Sequence, residues 1–105
     1  MTRMSVVALS AAGLLLSTPA LANLALAKKA NCMNCHAVNQ KLVGPSFADV
    51  AKKYAGDKSA VKDLAVRVKA GNKGGVWGPI PMPPNPTVSD ADMQTLIQWI
   101  LAGAK

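Results

Sequence analysis

Histidine occurs once in these 105 residues and cysteine twice. So small a set excludes a structural zinc site, which wants four Cys or His ligands, and leaves no second imidazole for acid–base work. Arginine is confined to Arg3 and Arg67. With no recognition motif, nucleic-acid binding is not expected, although the net charge is +7. No stretch alternates convincingly between apolar and polar residues, so strands are not expected. The apolar run Val6–Leu16, broken only by Ser10 and Gly13, is about eleven residues long. A membrane-spanning helix needs roughly twenty. Asp57, Asp63 and Asp90 show no spacing suited to general acid–base catalysis.

What is present is concentrated. Both cysteines and the histidine fall in one pentapeptide, Cys32-Met33-Asn34-Cys35-His36. This is C-x-x-C-H, the signature of c-type haem attachment. Two thiols reach two vinyl groups on one porphyrin edge and form thioethers, and the next residue turns an imidazole under the iron as proximal ligand. On a helix, Cys32 and Cys35 share a face at i and i+3. A thioredoxin-like redox pair would need a βαβ context that is absent, and i, i+3 cysteines on a helix are poorly placed for a disulfide.

The N-terminus agrees with this chemistry. Thr2-Arg3, the short apolar run and Ala20-Leu21-Ala22 make an n-region, an h-region and an A-x-A cleavage site. Residues 1–22 are expected to be a cleaved secretory signal peptide, with an uncleaved anchor as the alternative. A second A-x-A, Ala25-Leu26-Ala27, would remove most of the first helix, so cleavage after Ala22 is preferred. Because haem is attached to C-x-x-C-H outside the cytoplasm, the expected compartment is a bacterial periplasm. Residues 23–105 form one small domain. Lys+Arg falls from 12 to 11 on removing the leader while Asp+Glu stays at 5, leaving +6. A chain this short buries a thin core and needs a staple, which a covalently tethered haem supplies. No stable membrane insertion is expected after cleavage.

The remaining pattern is helical. Leu26, Ala30 and Met33 repeat with helical spacing and predict a first helix running into the haem motif. Phe47, Val50, Ala51 and Tyr54 predict a second, opened by Pro45-Ser46 with Asp49 three residues after Ser46. Val61, Leu64, Ala65 and Val68 predict a third, closed by Gly71. Ser89 caps a fourth, with Asp90 and Asp92 in its first turn and Met93, Leu96, Ile97 and Ile100 on one face. Trp99 and Leu101 broaden that face. The fold class is all-α, about four helices wrapped around one haem.

Between the last two helices, flexible Gly71–Gly75 is followed by a stiff segment, Trp77 to Pro86. It holds five of the seven prolines, at positions 79, 81, 83, 84 and 86. It cannot be the interior of a helix or strand. A long irregular loop in a small domain is usually functional, and this one can hold one side chain against the open face of the iron. A Met thioether is the usual partner of His where haem transfers electrons. Met1 and Met4 leave with the leader, Met33 sits between the cysteines, and Met93 falls on the apolar stripe of the last helix. Met82, flanked by prolines, is the expected distal ligand.

The chain resembles the small bacterial class I cytochromes c of the c-551/c-552 group. The resemblance rests on C-x-x-C-H, on Val43-Gly44-Pro45, on Gly75 to Asn85 and on Val88-Ser89-Asp90 opening a Trp-containing helix. It implies four further roles. The Pro45 carbonyl would accept from the His36 Nδ1–H, and Trp77 would reach a haem propionate. Arg67 would lie near the same group, and Asn85 would bond the Met82 sulfur, with a turn-forming role as its alternative.

With His36 and Met82 both on the iron, no site is open for peroxide or a gas. The expected function is therefore not enzymatic. The chain would shuttle single electrons between respiratory redox partners through one covalent haem c. Alternatives are a haem peroxidase or gas sensor with a labile sixth ligand, or an obligate subunit of a larger complex. The partners would be periplasmic redox proteins with acidic docking surfaces: a nitrite reductase, a peroxidase, an oxidase or an upstream cytochrome. Lys28, Lys29 and Lys41, close to the haem motif in sequence, are the expected steering charges. A monomer is expected.

Overall fold

The computed structural model describes residues 19–105. Residues 1–18, most of the expected signal peptide, lie outside them. Four α-helices follow in order: α1 (Pro19–Lys29), α2 (Phe47–Lys53), α3 (Ala60–Ala70) and α4 (Asp90–Leu101). One 3-10 turn, Cys32–Asn34, lies between α1 and α2. The described residues contain no strand, only the isolated bridges Asn72–Met82 and Gly75–Gly78.

The caps are where the sequence places them. Ser46 accepts the Asp49 N–H at 3.1 Å to open α2, and Ser89 accepts the Asp92 N–H at 3.1 Å to open α4. Each satisfies a helix-end donor that would otherwise have no partner. The first helix departs from expectation. It stops at Lys29, and Asn31 takes a left-handed conformation, φ 64, which Asn adopts more readily than most residues because its side chain bonds locally. The haem motif is therefore a separate tight turn, not the tail of α1. Within it the Cys32 carbonyl accepts from both the Cys35 and His36 N–H groups, at 3.2 and 3.0 Å.

α4 is the centre of the molecule and packs against α1, α2 and α3. It supplies Met93, Leu96, Ile97, Trp99 and Ile100 to a core completed by Ala27, Phe47, Ala60 and Leu64. Ala27 is fully buried, so α1 is seated in that core by the end that a cut after Ala27 would remove. Burial of this kind contributes roughly 25 cal/mol per Å² of apolar surface, and in so thin a core each large side chain matters.

The loop after α3 is fastened to the end of that helix. Asn85 donates from its backbone to the Lys69 carbonyl at 2.9 Å and from its amide to the Val68 carbonyl at 3.1 Å. Both are helix-end acceptors in need of partners. Lys69 also reaches Asp90 at the start of α4. At Gly71, φ is +74, and a Cβ there would lie 2.7 Å from the Pro84 nitrogen and 2.8 Å from the Met82 carbonyl oxygen. Only glycine fits both the angle and the space.

Candidate functional site

Helices α2, α3 and α4, the haem-motif turn and the proline loop enclose one cleft. It holds about 1130 Å³ of space free of protein atoms, its open mouth included. Its walls are mostly apolar: Phe47, Leu64 and Val68 from the helices, Val43, Ile80 and Pro81 from the loops.

The chemistry-bearing residues converge there. Cys32, Cys35, His36, Pro45, Arg67, Trp77 and Met82 all line this cleft. The two cysteines are unpaired thiols. Burial pushes the Cys32 thiol up, partly offset by a backbone hydrogen bond.

His36 is held on more than one side. Its Nδ1 lies 2.8 Å from the Pro45 carbonyl oxygen. A carbonyl can only accept, so Nδ1 carries a proton, and in the neutral ring that leaves the lone pair on Nε2. A Cβ on Gly44 would overlap the ring, lying 2.8 Å from Nδ1 and 3.0 Å from Nε2. The Phe47 ring stacks on the imidazole, with centroids 5.3 Å apart and planes 22° apart. Neither Gly44 nor Phe47 was legible as a partner of His36. Gly44 enters the sequence reading only within Val43-Gly44-Pro45, and Phe47 only on a helical stripe.

The proline loop carries Met82 to the same cleft. Met82 is half-buried, and its backbone is fixed by paired 2.9 Å hydrogen bonds to Asn72. Met93 also lines the cleft, but from α4 and within the core, at 3 % exposure. Asn85, which the resemblance would bond to the Met82 sulfur, makes backbone contacts. It does not line the cleft, and its amide donates to the Val68 and Pro83 carbonyls at 3.1 and 3.3 Å. Trp77 is exposed on one side, with Lys53 Nζ 5.6 Å from its ring centroid, a cation–π distance. Sequence position nominated Lys28, Lys29 and Lys41; the lysine lying against a cleft residue is Lys53.

Two cysteines, an imidazole and a loop-borne thioether on a mostly apolar cleft suit a flat, largely hydrophobic metal macrocycle. Comparison with known proteins agrees. The family model described as Cytochrome c matches residues 21–104. A cytochrome c-552 from Nitrosomonas europaea is 51% identical over 92 residues, covering 88% of this chain and 88% of that protein. A cytochrome c-551 from Pseudomonas aeruginosa is 53% identical over 77 residues, 73% of this chain and 72% of that protein. The crystal structure of the Nitrosomonas europaea cytochrome c552 superposes with a TM-score of 0.71 at 54% identity, covering 74% of this chain and 95% of that one. More distantly, the class 1 cytochrome MtoD from Sideroxydans lithotrophicus gives a TM-score of 0.67 at 31% identity, covering 80% and 95%.

The all-α fold and these matches define the class, and the chain belongs to the cytochrome c family. It is a small electron carrier of the c-551/c-552 kind, with covalently bound haem c as its cofactor.

Proposed function

We propose that the chain is exported and that residues 1–22 are removed as a signal peptide. Domain 23–105 then works in a bacterial periplasm as a monomeric, non-enzymatic carrier of single electrons. Cys32 and Cys35 form the thioethers, His36 is the proximal iron ligand and Met82 the distal one. The observation that carries this reading is the meeting of His36, with Nδ1 committed to Pro45 at 2.8 Å, and Met82 on the cleft that both cysteines line.

Bound haem c supplies a reversible one-electron couple. The protein's part is to hold and tune it. Pro45 fixes the tautomer that leaves His36 Nε2 free to bind metal. Met82, on a stiff loop pinned to Asn72, offers a soft thioether that favours the reduced state. The apolar walls exclude water and add to that preference. Arg67 and Trp77, both on the cleft, would meet the propionates. With two side chains as axial ligands no substrate reaches the metal, and exchange is outer-sphere. Two features weigh against the rival cut after Ala27: that residue is fully buried, and the family match begins before it, at residue 21.

Partners are redox proteins presenting an acidic surface to a domain of side-chain charge +6. Spectroelectrochemical titration tests the reading. It should show a one-electron wave at positive potential, low-spin spectra in both states, and no carbon monoxide adduct of the reduced protein. A high-spin spectrum or ready adduct formation would instead support a peroxidase or gas sensor.

A further inference from the structure

A hydrogen bond at Nδ1 fixes one point of the His36 ring and its tautomer, but leaves the ring free to rock about the Nδ1···O direction. What limits that motion is the stacked Phe47 ring, 5.3 Å away and inclined by 22°. An offset stack at this separation is a favoured aromatic arrangement.

Phe47 is itself closely held. It is 3 % exposed and is the first residue of α2. Its N–H donates to the Ala37 carbonyl at 3.0 Å, and the next N–H, of Ala48, donates to the Val38 carbonyl at 2.9 Å. The start of α2 is thus stitched to the two residues that directly follow His36. On its other side Phe47 meets the edge of Trp99, at 5.7 Å and 69°. Trp99 lies in α4, is 5 % exposed, and its indole N–H meets no hydrogen-bond partner among the described residues. Its ring packs edge-on against Phe47 within the core. An unbroken aromatic series therefore runs from the central helix to the imidazole.

We propose that Phe47 is a positioning residue for the proximal ligand, setting the plane in which the His36 imidazole is presented to the metal. The proposal rests on His36 being that ligand. Ring plane matters because an imidazole π orbital mixes with iron d orbitals in a direction fixed by its orientation. A core residue with no such role would affect stability only.

The test is proton NMR of the oxidised holoprotein, reading the spread of the paramagnetically shifted haem-methyl resonances, alongside thermal unfolding. Phe47→Leu keeps an apolar side chain of moderate size but removes the ring, and should change the spread. Phe47→Tyr restores a ring and should return it to the wild-type pattern. Leu101→Ala, a truncation of a half-buried residue that packs on the core without lining the cleft, should lower the melting temperature and leave the spread unchanged. A wild-type spread in Phe47→Leu, with only a lower melting temperature, would overturn the proposal. Wild-type protein without resonances from an axial imidazole would overturn the His36 assignment itself, and the proposal with it.

Discussion

Asn72 and Met82 pair backbone to backbone, each N–H donating to the other's carbonyl at 2.9 Å. Ten positions apart in sequence, they close the proline loop into a ring with Met82 at its inner edge. Gly71, beside Asn72, permits the closure. The loop is thus braced at its neck, and its prolines restrict the rest.

This bracing predicts the effect of Gly71→Ala. The new Cβ would meet the Met82 carbonyl and Pro84, at a φ that L-residues rarely adopt. The variant should lose roughly 1–3 kcal/mol of stability, read by denaturant unfolding. It should also weaken the sulfur-to-iron charge-transfer band. Unchanged stability would mean the neck is not a constraint.

The haem linkage gives a second prediction. Acid-acetone extraction of denatured protein should leave the haem on the chain, and its pyridine haemochrome should match two saturated vinyls. Single replacement of Cys32 or Cys35 by Ala should shift the haemochrome toward one remaining vinyl. Free haem in the wild-type extract would show that the thiols are not the tethers.

Charge near the cleft is testable by kinetics. At about 0.15 M ionic strength screening acts over roughly 8 Å, so only lysines close to the exposed haem edge should steer encounter. Lys28, Lys29 and Lys41 are exposed, and Lys53 lies against Trp77. Neutralising these should slow bimolecular electron transfer to an acidic partner and flatten its salt dependence, with little change in potential. Lys58 and Lys62 should matter less. Equal effects from both sets would point to net charge; no salt dependence would point to apolar docking.

Capping serines and helical stripes were legible because they are local: Ser46 and Ser89 need only the next three residues to act. The C-x-x-C-H motif and the proline loop were legible because their chemistry is unusual. The break at Asn31 was not, since the apolar spacing of Leu26, Ala30 and Met33 continues through it while the backbone does not. The stack of Phe47 on His36 was hidden for another reason. It joins two stretches through tertiary packing, and nothing in the local sequence of either announces it. The turn-forming alternative for Asn85 accords with its amide donating to the carbonyls of Val68 and Pro83.

Two methionines line the cleft, and choosing between them tests the account most directly. The measurement is the sulfur-to-iron charge-transfer band of the oxidised protein in Met82→Ala and Met93→Ala. Met82→Ala should abolish the band, open the iron to external ligands and lower the potential. Met93→Ala should cost about 2–5 kcal/mol of stability as a buried truncation and keep the band. A band that survives in Met82→Ala and disappears in Met93→Ala would contradict the account.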